Sequence, residues 1–316
     1  MTPQPVIVCA SDFSENAALA FRYAIWIAAR LDGRIVVVSV VEPLLAEAAR
    51  IEGFTSVRKD TERALEQWIE THAPTFASTG RVDSRVLEGK PPQEIQRCAQ
   101  AEQADLVVIG TQGLSGYRRL ILGSIARKVL RQTDRPVLVV PSSAASQQSE
   151  IGAWLDGSIF APVDLQRLVM ADVSMAAAVA EALKLPLVLL YVAPPLMAIP
   201  GLTQVFAKQH GAALELARAD LERVAVPLES PSLRVESIAV SGVPAEEIAR
   251  IAEERNARLI VMGLGGEVDD APGSVAYRVL SGASAAVLAL PDAGDAESED
   301  RKRRLTNLMT GDIRAK

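Results

Sequence analysis

Cysteine and histidine are scarce in this sequence, and their scarcity limits the chemistry that the chain can perform. Cys9 and Cys98 are the only cysteines and form no CxxC motif, and His72 and His210 are the only histidines. A zinc site built from cysteine and histidine is therefore not expected. Cys9 lies in an apolar run and Cys98 in a helical pattern, which predicts two buried thiols in a reducing compartment, the cytoplasm.

An excess of basic residues and a long uninterrupted apolar segment are absent as well. The chain has 33 Lys and Arg against 39 Asp and Glu, so it lacks the basic surface that non-specific nucleic-acid binding requires. The longest apolar stretch, residues 185–200, is interrupted by Pro186, Pro194 and Pro195, which favours a buried strand and its exit loop over a membrane span. The opening MTPQP shows no basic segment followed by an apolar one, so we expect no secretory signal.

The sequence does contain an internal repeat. Each copy opens with an apolar strand that ends at an aspartate, Asp12 or Asp164, and the next apolar run begins 23 positions after that aspartate. Further on, EGKPPQEI aligns with SGVPAEEI, and DLVVIG aligns with RLIVMG. Because the offset stays between 150 and 153 residues at every aligned point, the sequence indicates a duplicated domain.

Each copy alternates apolar strands with helical patterns. The strands are continuous β-branched runs, which is typical of sheets covered on both faces. Five strands and four helices per copy predict an α/β fold: two doubly wound, five-stranded, parallel-sheet, Rossmann-like domains in tandem. We place the domains at 1–143 and 158–293, a linker rich in Ser, Ala and Gln at 144–157, and a charged tail at 294–316.

A glycine-rich loop, residues 110–124 (the glycine loop), follows the fourth predicted strand of the first copy. Gly110, Gly113 and Gly123 allow backbone N–H groups to approach a phosphate, and Gly123-Ser124 opens a helix whose N-terminus attracts anions. Two arginines, at 118 and 119, add positive charge. A plain connector with a serine helix cap stays the alternative. Neither a Walker-A motif nor a GxGxxG after a first strand occurs, so those phosphate sites are not expected.

The pattern Gly110-x-x-Gly113-x9-Gly123-Ser124, between the strands DLVVIG and PVLVVP, resembles the signature of ATP-binding universal stress proteins. The opening VIVCASDFSENAALAF is similar to the first strand and helix of that family. The resemblance covers residues 1–141 closely and 158–291 more loosely. It implies two fused universal stress protein domains, each with the fold of adenine nucleotide alpha hydrolase-like proteins.

The resemblance also implies a role for individual residues. Asp12 would lie at the adenosine end of the site, and Val40 would contact the base or ribose. The others would lie beside the nucleotide (Ile109, Gly110) or hold its phosphates (Gly113, Gly123, Ser124). ATP is the implied cofactor, with Mg²⁺ as an open addition. In the family, two such domains pair through their last strands, which here would be an intramolecular pairing, and exposed sheet edges would promote a homodimer.

The second copy departs from this pattern in the corresponding loop. Six residues instead of nine separate its second and third glycines, and three carboxylates (Glu267, Asp269 and Asp270) replace the two arginines. Because like charges repel, a polyphosphate should be poorly tolerated there without a cation. We therefore expect nucleotide in the first copy only. The second copy is either a ligand-free remnant or a site altered for a different or metal-bridged ligand.

The sequence favours an ATP-binding regulatory protein of the stress response with little or no turnover, because no general base is evident beside the proposed phosphates. A nucleotide-free interaction and dimerisation scaffold is the alternative. An adenylating enzyme is a third hypothesis, but ASDFSE lacks the Ser-Gly-Gly-rich loop that such enzymes carry after the first strand. We assign no catalytic residue. Asp12 and Asp164 are either magnesium ligands or helix-start residues, so the metal ligands stay open.

Overall fold

The computed structural model describes residues 4–44, 47, 51, 57–111, 122–147, 157–195, 203–264 and 275–291. These residues form two compact units, and each unit contains one of the two sequence copies. None of the helices within these ranges is long and apolar enough to cross a membrane.

The first unit alternates strands with helices, as the apolar pattern predicts. In chain order its elements are β1 (Val6–Ala10), α1 (Glu15–Leu31), β2 (Arg34–Val41), α2 (Val57–His72), α3 (Pro74–Ala77), β3 (Val82–Glu88), α4 (Pro91–Ala101), β4 (Leu106–Gly110), α5 (Ser124–Gln132) and β5 (Val137–Val140). The short helix α3 is an element that the sequence does not predict. It begins at Pro74, whose fixed φ suits the first helical position.

The five strands of the first unit form a parallel sheet in the order β3-β2-β1-β4-β5. β1 pairs with β2 on one side, with Ala10 opposite Val38, and with β4 on the other, with Cys9 opposite Val108. The chain thus runs outward from β1 through β2 to β3, then crosses over to β4 and β5. The boundary between β1 and β4 is the switch point of this order, next to which doubly wound sheets bind ligands.

Both faces of this sheet are covered. The four successive residues Ile35–Val38 of β2 are at most 1% exposed, although neighbouring side chains of a strand point to opposite faces. Helix α1 packs against β1 and β4, and helix α4 packs against β1 and β2. The continuous β-branched runs of the sequence are therefore explained by burial on two sides.

The second unit repeats this architecture. Its elements are β6 (Ser158–Pro162), α6 (Met170–Leu183), β7 (Leu187–Ala193), α7 (Thr203–Ala225), β8 (Val235–Ser241), α8 (Pro244–Glu254), β9 (Ala257–Gly263), α9 (Val275–Gly282) and β10 (Ala286–Leu290). Its parallel strands lie in the order β8-β7-β6-β9-β10, which is the order of the first unit. The shared order confirms that the repeat is a duplicated doubly wound fold.

The long helix α7 contains a glycine in its interior. A glycine after His210 is, by sequence alone, typical of a helix end, but α7 continues through His210 and Gly211 to Ala225. A hypothetical Cβ at Gly211 meets no atom within 4 Å. Gly211 is therefore a helix-interior glycine in open space, where its backbone freedom has a cost and no visible packing benefit.

We predict opposite effects of alanine at Gly211 and at Gly80, two glycines whose added Cβ atoms both meet open space. Gly211→Ala should raise the free energy of unfolding by about 0.5–1 kcal/mol, because alanine favours the helix. Gly80→Ala should lower it by about 1–2 kcal/mol, because Gly80 has φ +69°, a left-handed conformation that a Cβ disfavours. Urea unfolding of the full chain measures both, and equal shifts of one sign would contradict the prediction.

Candidate functional site

The predicted site residues of the first unit lie on three neighbouring strands. Asp12 follows the last residue of β1 by two positions, Val40 is the last residue but one of β2, and Ile109 and Gly110 end β4. Because β1 pairs with both β2 and β4 in parallel, these residues share the edge of the sheet where the strands end, which we call the carboxyl edge. Neighbouring strands lie about 4.8 Å apart, so the three positions fall within the width of one small ligand.

The turn after β1 is held by side-chain hydrogen bonds. Asp12 Oδ1 accepts from the Ser14 backbone N–H at 3.1 Å and from the Ser14 hydroxyl at 2.6 Å. Ser14 Oγ in turn accepts from Ala17 N at 3.1 Å and so caps α1. Asp12 is therefore not itself the helix cap. It orients the serine that is.

The residue after Asp12 has an unusual backbone conformation. Phe13 has φ 66°, in the left-handed region, which costs a non-glycine residue roughly 1–2 kcal/mol. Its ring packs edge-on against Trp68 with the centroids 6.4 Å apart, and Trp68 also stacks on Phe21 at 5.3 Å. The aromatic contacts help to offset the backbone strain. The sequence pattern did not reveal this cluster, because its members lie on the turn, α1 and α2.

The glycine loop is closed at its base by a backbone hydrogen bond. Thr111 N donates to Val140 O at 3.0 Å, and Thr111 O accepts from Gly123 N at 2.7 Å. Residues 112–121, which include Gly113 and the two arginines, lie outside the described part of the chain. Hydrogen bonds therefore connect the two ends of the loop to each other and its first end to β5.

The geometry at the base of the loop explains why position 123 is a glycine. A Cβ at Gly123 would lie 2.9 Å from the Thr111 carbonyl oxygen, although the φ of Gly123, −59°, is ordinary. The N–H of Gly123 is engaged with Thr111, so the first donors at the start of α5 are those of Ser124, Ile125 and Ala126. Within the described residues, the first helical bond of α5 is from Arg127 N to Gly123 O, and helix geometry leaves those three N–H groups without an intrahelical partner.

Gly110 is in contact with a residue that the sequence analysis did not single out. Asn16, in the first turn of α1, is only 7% exposed. A Cβ at Gly110 would lie 2.6 Å from Asn16 Nδ2 and 3.0 Å from its Cγ. The first helix and the end of β4 therefore touch at this pair. In the sequence, the only indication of this contact was a polar residue at the second position of α1. Periodicity alone does not show whether such a residue is buried or solvated.

The second unit differs at the corresponding turn. Asp164 Oδ1 accepts from Gln166 N at 2.9 Å, and α6 begins only at Met170. The described residues before α6 provide no side-chain cap. Asp164 therefore forms a local turn rather than starting the helix, which corrects the helix-start interpretation. Three apolar side chains next to this late start are 37–42% exposed: Leu168, Val169 and Met170.

The described residues show no assembled metal centre or histidine site. No group of three or more His, Cys, Asp or Glu side chains among them is arranged to hold a metal ion. His72 ends α2, where its Nδ1 lies 2.8 Å from the Trp68 carbonyl and its ring lies 4.6 Å from the Trp68 ring. His72 thus takes part in helix and aromatic packing.

Both cysteines are buried, and neither forms a disulfide bond. Complete burial raises the pKa of Cys9 from 9.0 to about 12. Burial, and secondarily the charge of Glu102, raise the pKa of Cys98 to about 11, against a smaller lowering by Arg85 and Arg34. Thiols with raised pKa values are neutral near pH 7, which fits a role in core packing.

Comparison with known proteins gives one consistent family. The sequence profile described as the Universal stress protein family matches residues 5–141 and again residues 158–291. A universal stress protein of Methanocaldococcus jannaschii is 31% identical over 147 residues, covering 42% of this chain and 80% of that relative. A universal stress protein of Thermus aquaticus is 35% identical over 136 residues, covering 42% of this chain and 96% of that relative.

Solved structures match over nearly the whole length. A functionally unknown protein from Pseudomonas aeruginosa has a TM-score of 0.63 at 19% identity, and the match covers 98% of each chain. A universal stress protein from Archaeoglobus fulgidus has a TM-score of 0.59 at 18% identity, with 90% of this chain and 97% of that one covered. At these identities the likeness establishes the tandem fold alone.

We predict that neither thiol reacts with a disulfide reagent at pH 8 in the native protein, and that both react after denaturation. The folded pKa values lie above the ordinary value of 9.0, so the unfolded chain ionises first. The corresponding stabilisation is complete below about pH 9 and is lost as pH rises towards the folded values. Absorbance after reaction with Ellman's reagent measures this. One fast equivalent of thiol in the native chain would contradict the prediction.

Proposed function

Because the chain belongs to the universal stress protein family, we propose that its first unit binds an adenine nucleotide, ATP, and that the protein acts as a stress-response regulator rather than as an enzyme. The proposal includes the domain limits 1–143 and 158–293 that the sequence indicates. The observation that carries it is the closed base of the glycine loop, where Gly123 N donates to Thr111 O at 2.7 Å.

That hydrogen bond supports a phosphate site for a geometric reason. Thr111 directly follows β4, so the bond brings the start of α5 to the carboxyl edge. Three N–H groups without an intrahelical partner and the positive end of the helix dipole then lie where the strands end. Ser124 is exposed there and adds a hydroxyl donor. An anionic ligand that reaches this edge gains hydrogen bonds without requiring any change in the helix.

The adenosine end of the ligand is assigned to the turn after β1 and the end of β2, on the resemblance of these segments to ATP-binding members of the family. Asp12 and Val40 are partly exposed there, whereas Ile109 is 3% exposed and supports β4 from within the core. In this proposal Gly110 lies beside the nucleotide, and Gly113, Gly123 and Ser124 form the phosphate end. Gly113 is assigned from the sequence pattern alone.

Mg²⁺, if it accompanies the nucleotide, would be held mainly by the phosphates. The described residues offer no cluster of carboxylates for a protein-built cage, and Asp12 Oδ1 already accepts two hydrogen bonds from Ser14. Magnesium commonly binds through one or two protein oxygens plus substrate phosphates. Slow or absent turnover is part of the proposal because hydrolysis requires a group that activates water, and the sequence shows no evident general base beside the proposed phosphates.

The second unit is proposed to remain free of nucleotide. Its first helix begins at Met170 without a side-chain cap among the described residues, and apolar side chains occupy the turn. Its sequence also places three carboxylates in the loop that corresponds to the glycine loop. An apolar, acidic edge disfavours a polyphosphate. These observations favour a scaffold role for this unit, and for the whole protein if the first unit also proves empty. The cytoplasmic location and the homodimer stay predictions.

We predict about one equivalent of ATP per chain. The protein is purified without added nucleotide and denatured, and the released small molecules are separated by chromatography. Calorimetric titration with ATP, with and without Mg²⁺, then gives the number of sites. Two equivalent sites would contradict the assignment to the first unit. No nucleotide, no heat of binding and no thermal stabilisation would favour the scaffold.

We predict that Ser124→Asp weakens ATP binding without destabilising the fold. A carboxylate at the first position of α5 interacts favourably with the helix dipole but repels a phosphate. The thermal midpoint without nucleotide should therefore stay equal or rise, while ATP affinity falls by roughly tenfold or more.

Val275→Asp is the matched control for this variant, because Val275 is the first residue of α9 and is exposed in the second unit. It should leave ATP affinity unchanged. If the Ser124→Asp chain binds ATP as the unmodified chain does, the phosphates do not lie at α5.

A further inference from the structure

We infer that Asn16 is a positioning residue of the nucleotide site: its buried side chain, packed against Gly110, sets the spacing between the turn that carries Asp12 and the base of the glycine loop. The inference rests on the proposed function, because it concerns how the two ends of that site are held relative to each other. The glycine pattern does not include Asn16, and the family resemblance assigns it no role.

The contact between Asn16 and Gly110 is too close for a side chain at position 110. A Cβ there would lie 2.6 Å from Asn16 Nδ2, 3.0 Å from Asn16 Cγ and 3.3 Å from Asn16 O. Atoms in proteins do not approach a Cβ at 2.6 Å, so a larger residue at 110 would have to displace the Asn16 amide. Because Asn16 is 7% exposed, its amide is enclosed at this junction rather than directed to solvent.

Each member of the pair is rigidly connected to one end of the proposed site. Asn16 is two residues from Ser14, which caps α1 and is hydrogen-bonded to Asp12 at 2.6 Å. Gly110 is followed by Thr111, whose carbonyl accepts from Gly123 at the start of α5. A chain of direct contacts thus runs from Asp12 through α1 and β4 to α5. In this chain of contacts, the Asn16–Gly110 pair joins the start of α1 to the end of β4.

The second unit provides an internal comparison. Asn16 corresponds to Leu168 at the repeat offset of 152 residues, the offset that relates Asp12 to Asp164. Leu168 is 37% exposed and precedes α6, which begins only at Met170. The equivalent of Asn16 is therefore not enclosed in the unit that we propose to be nucleotide-free. This difference is the one expected if the buried asparagine serves the site.

A pre-set spacing matters for affinity because a bound nucleotide spans both ends. If the two ends fluctuate relative to each other, ordering them on binding reduces the affinity, whereas stability without ligand depends on the whole core. A positioning role therefore predicts that binding and stability respond differently to substitutions at this pair.

The test is a double-substitution cycle on the full chain, with the ATP dissociation constant and the ligand-free thermal midpoint measured for each variant. Gly110→Ala should weaken ATP binding by about tenfold, because its Cβ displaces the Asn16 amide. Asn16→Ala should weaken binding by a smaller factor. The double variant Asn16→Ala/Gly110→Ala should bind ATP more tightly than Gly110→Ala, because the removed amide leaves room for the new Cβ.

Two controls separate positioning from general stability. Ile27→Ala removes a buried side chain eleven residues further along α1, about 16 Å away, and should lower the thermal midpoint with unchanged ATP affinity. Leu168→Ala at the repeat-equivalent position should change neither affinity nor midpoint appreciably. If Gly110→Ala folds poorly, a higher thermal midpoint and restored ATP binding in the double variant still report the coupling between the two residues.

The outcomes are distinct. Recovery of ATP binding in the double variant supports the inference. A lowered midpoint with unchanged affinity in Asn16→Ala, or a double variant that binds no better than Gly110→Ala, would show that Asn16 is only a packing residue and overturn the inference alone. An unmodified chain that binds no adenine nucleotide overturns the proposed function, and the inference with it.

Discussion

The arrangement of the first unit depends on one constraint, the parallel pairing of β1 with β2 on one side and β4 on the other. Parallel neighbours end at the same edge, so segments that are about thirty and about one hundred residues apart along the chain are brought within a few strand widths. The crossover between β3 and β4 then leaves the switch point beside β1. The turn after β1 and the glycine loop follow from this pairing, because each directly continues one of the paired strands.

The two units share this strand pairing but differ in the segments that follow the strands. Both units have the same strand order, so the core tolerated many substitutions as long as the strands stayed apolar. The first helix, in contrast, begins at different places. In the first unit Ser14 caps α1 and is oriented by Asp12, while the second unit has Gln166 at the repeat position of Ser14. A serine cap contributes about 1 kcal/mol, so its loss is consistent with a helix that starts several residues later.

The structure gives Gly110 and Gly123 a packing role that the sequence pattern did not indicate. From sequence, they indicate backbone N–H groups open to a phosphate. In the structure, Gly123 is required by the Thr111 carbonyl at its base, and Gly110 by the amide of Asn16. These two glycines thus allow the base of the loop and the first helix to lie close to the sheet, and the N–H groups without an intrahelical partner belong to the first turn of α5. In the proposed site, packing and binding would both depend on this close approach.

The sequence by itself determined the family, the repeat and the strand positions, and it predicts the edge at which the proposed site lies. These properties depend on local patterns, namely apolar runs, glycine spacing and strand-ending aspartates. Such patterns can be recognised without information about distant contacts. Only the tertiary structure decided that α7 passes His210, that Asp12 acts through Ser14, that Phe13 and Trp68 pack together, and that Asn16 is buried against Gly110. Each of these depends on which side chain from another element occupies the adjacent space. Periodicity along one segment contains no information about that neighbour.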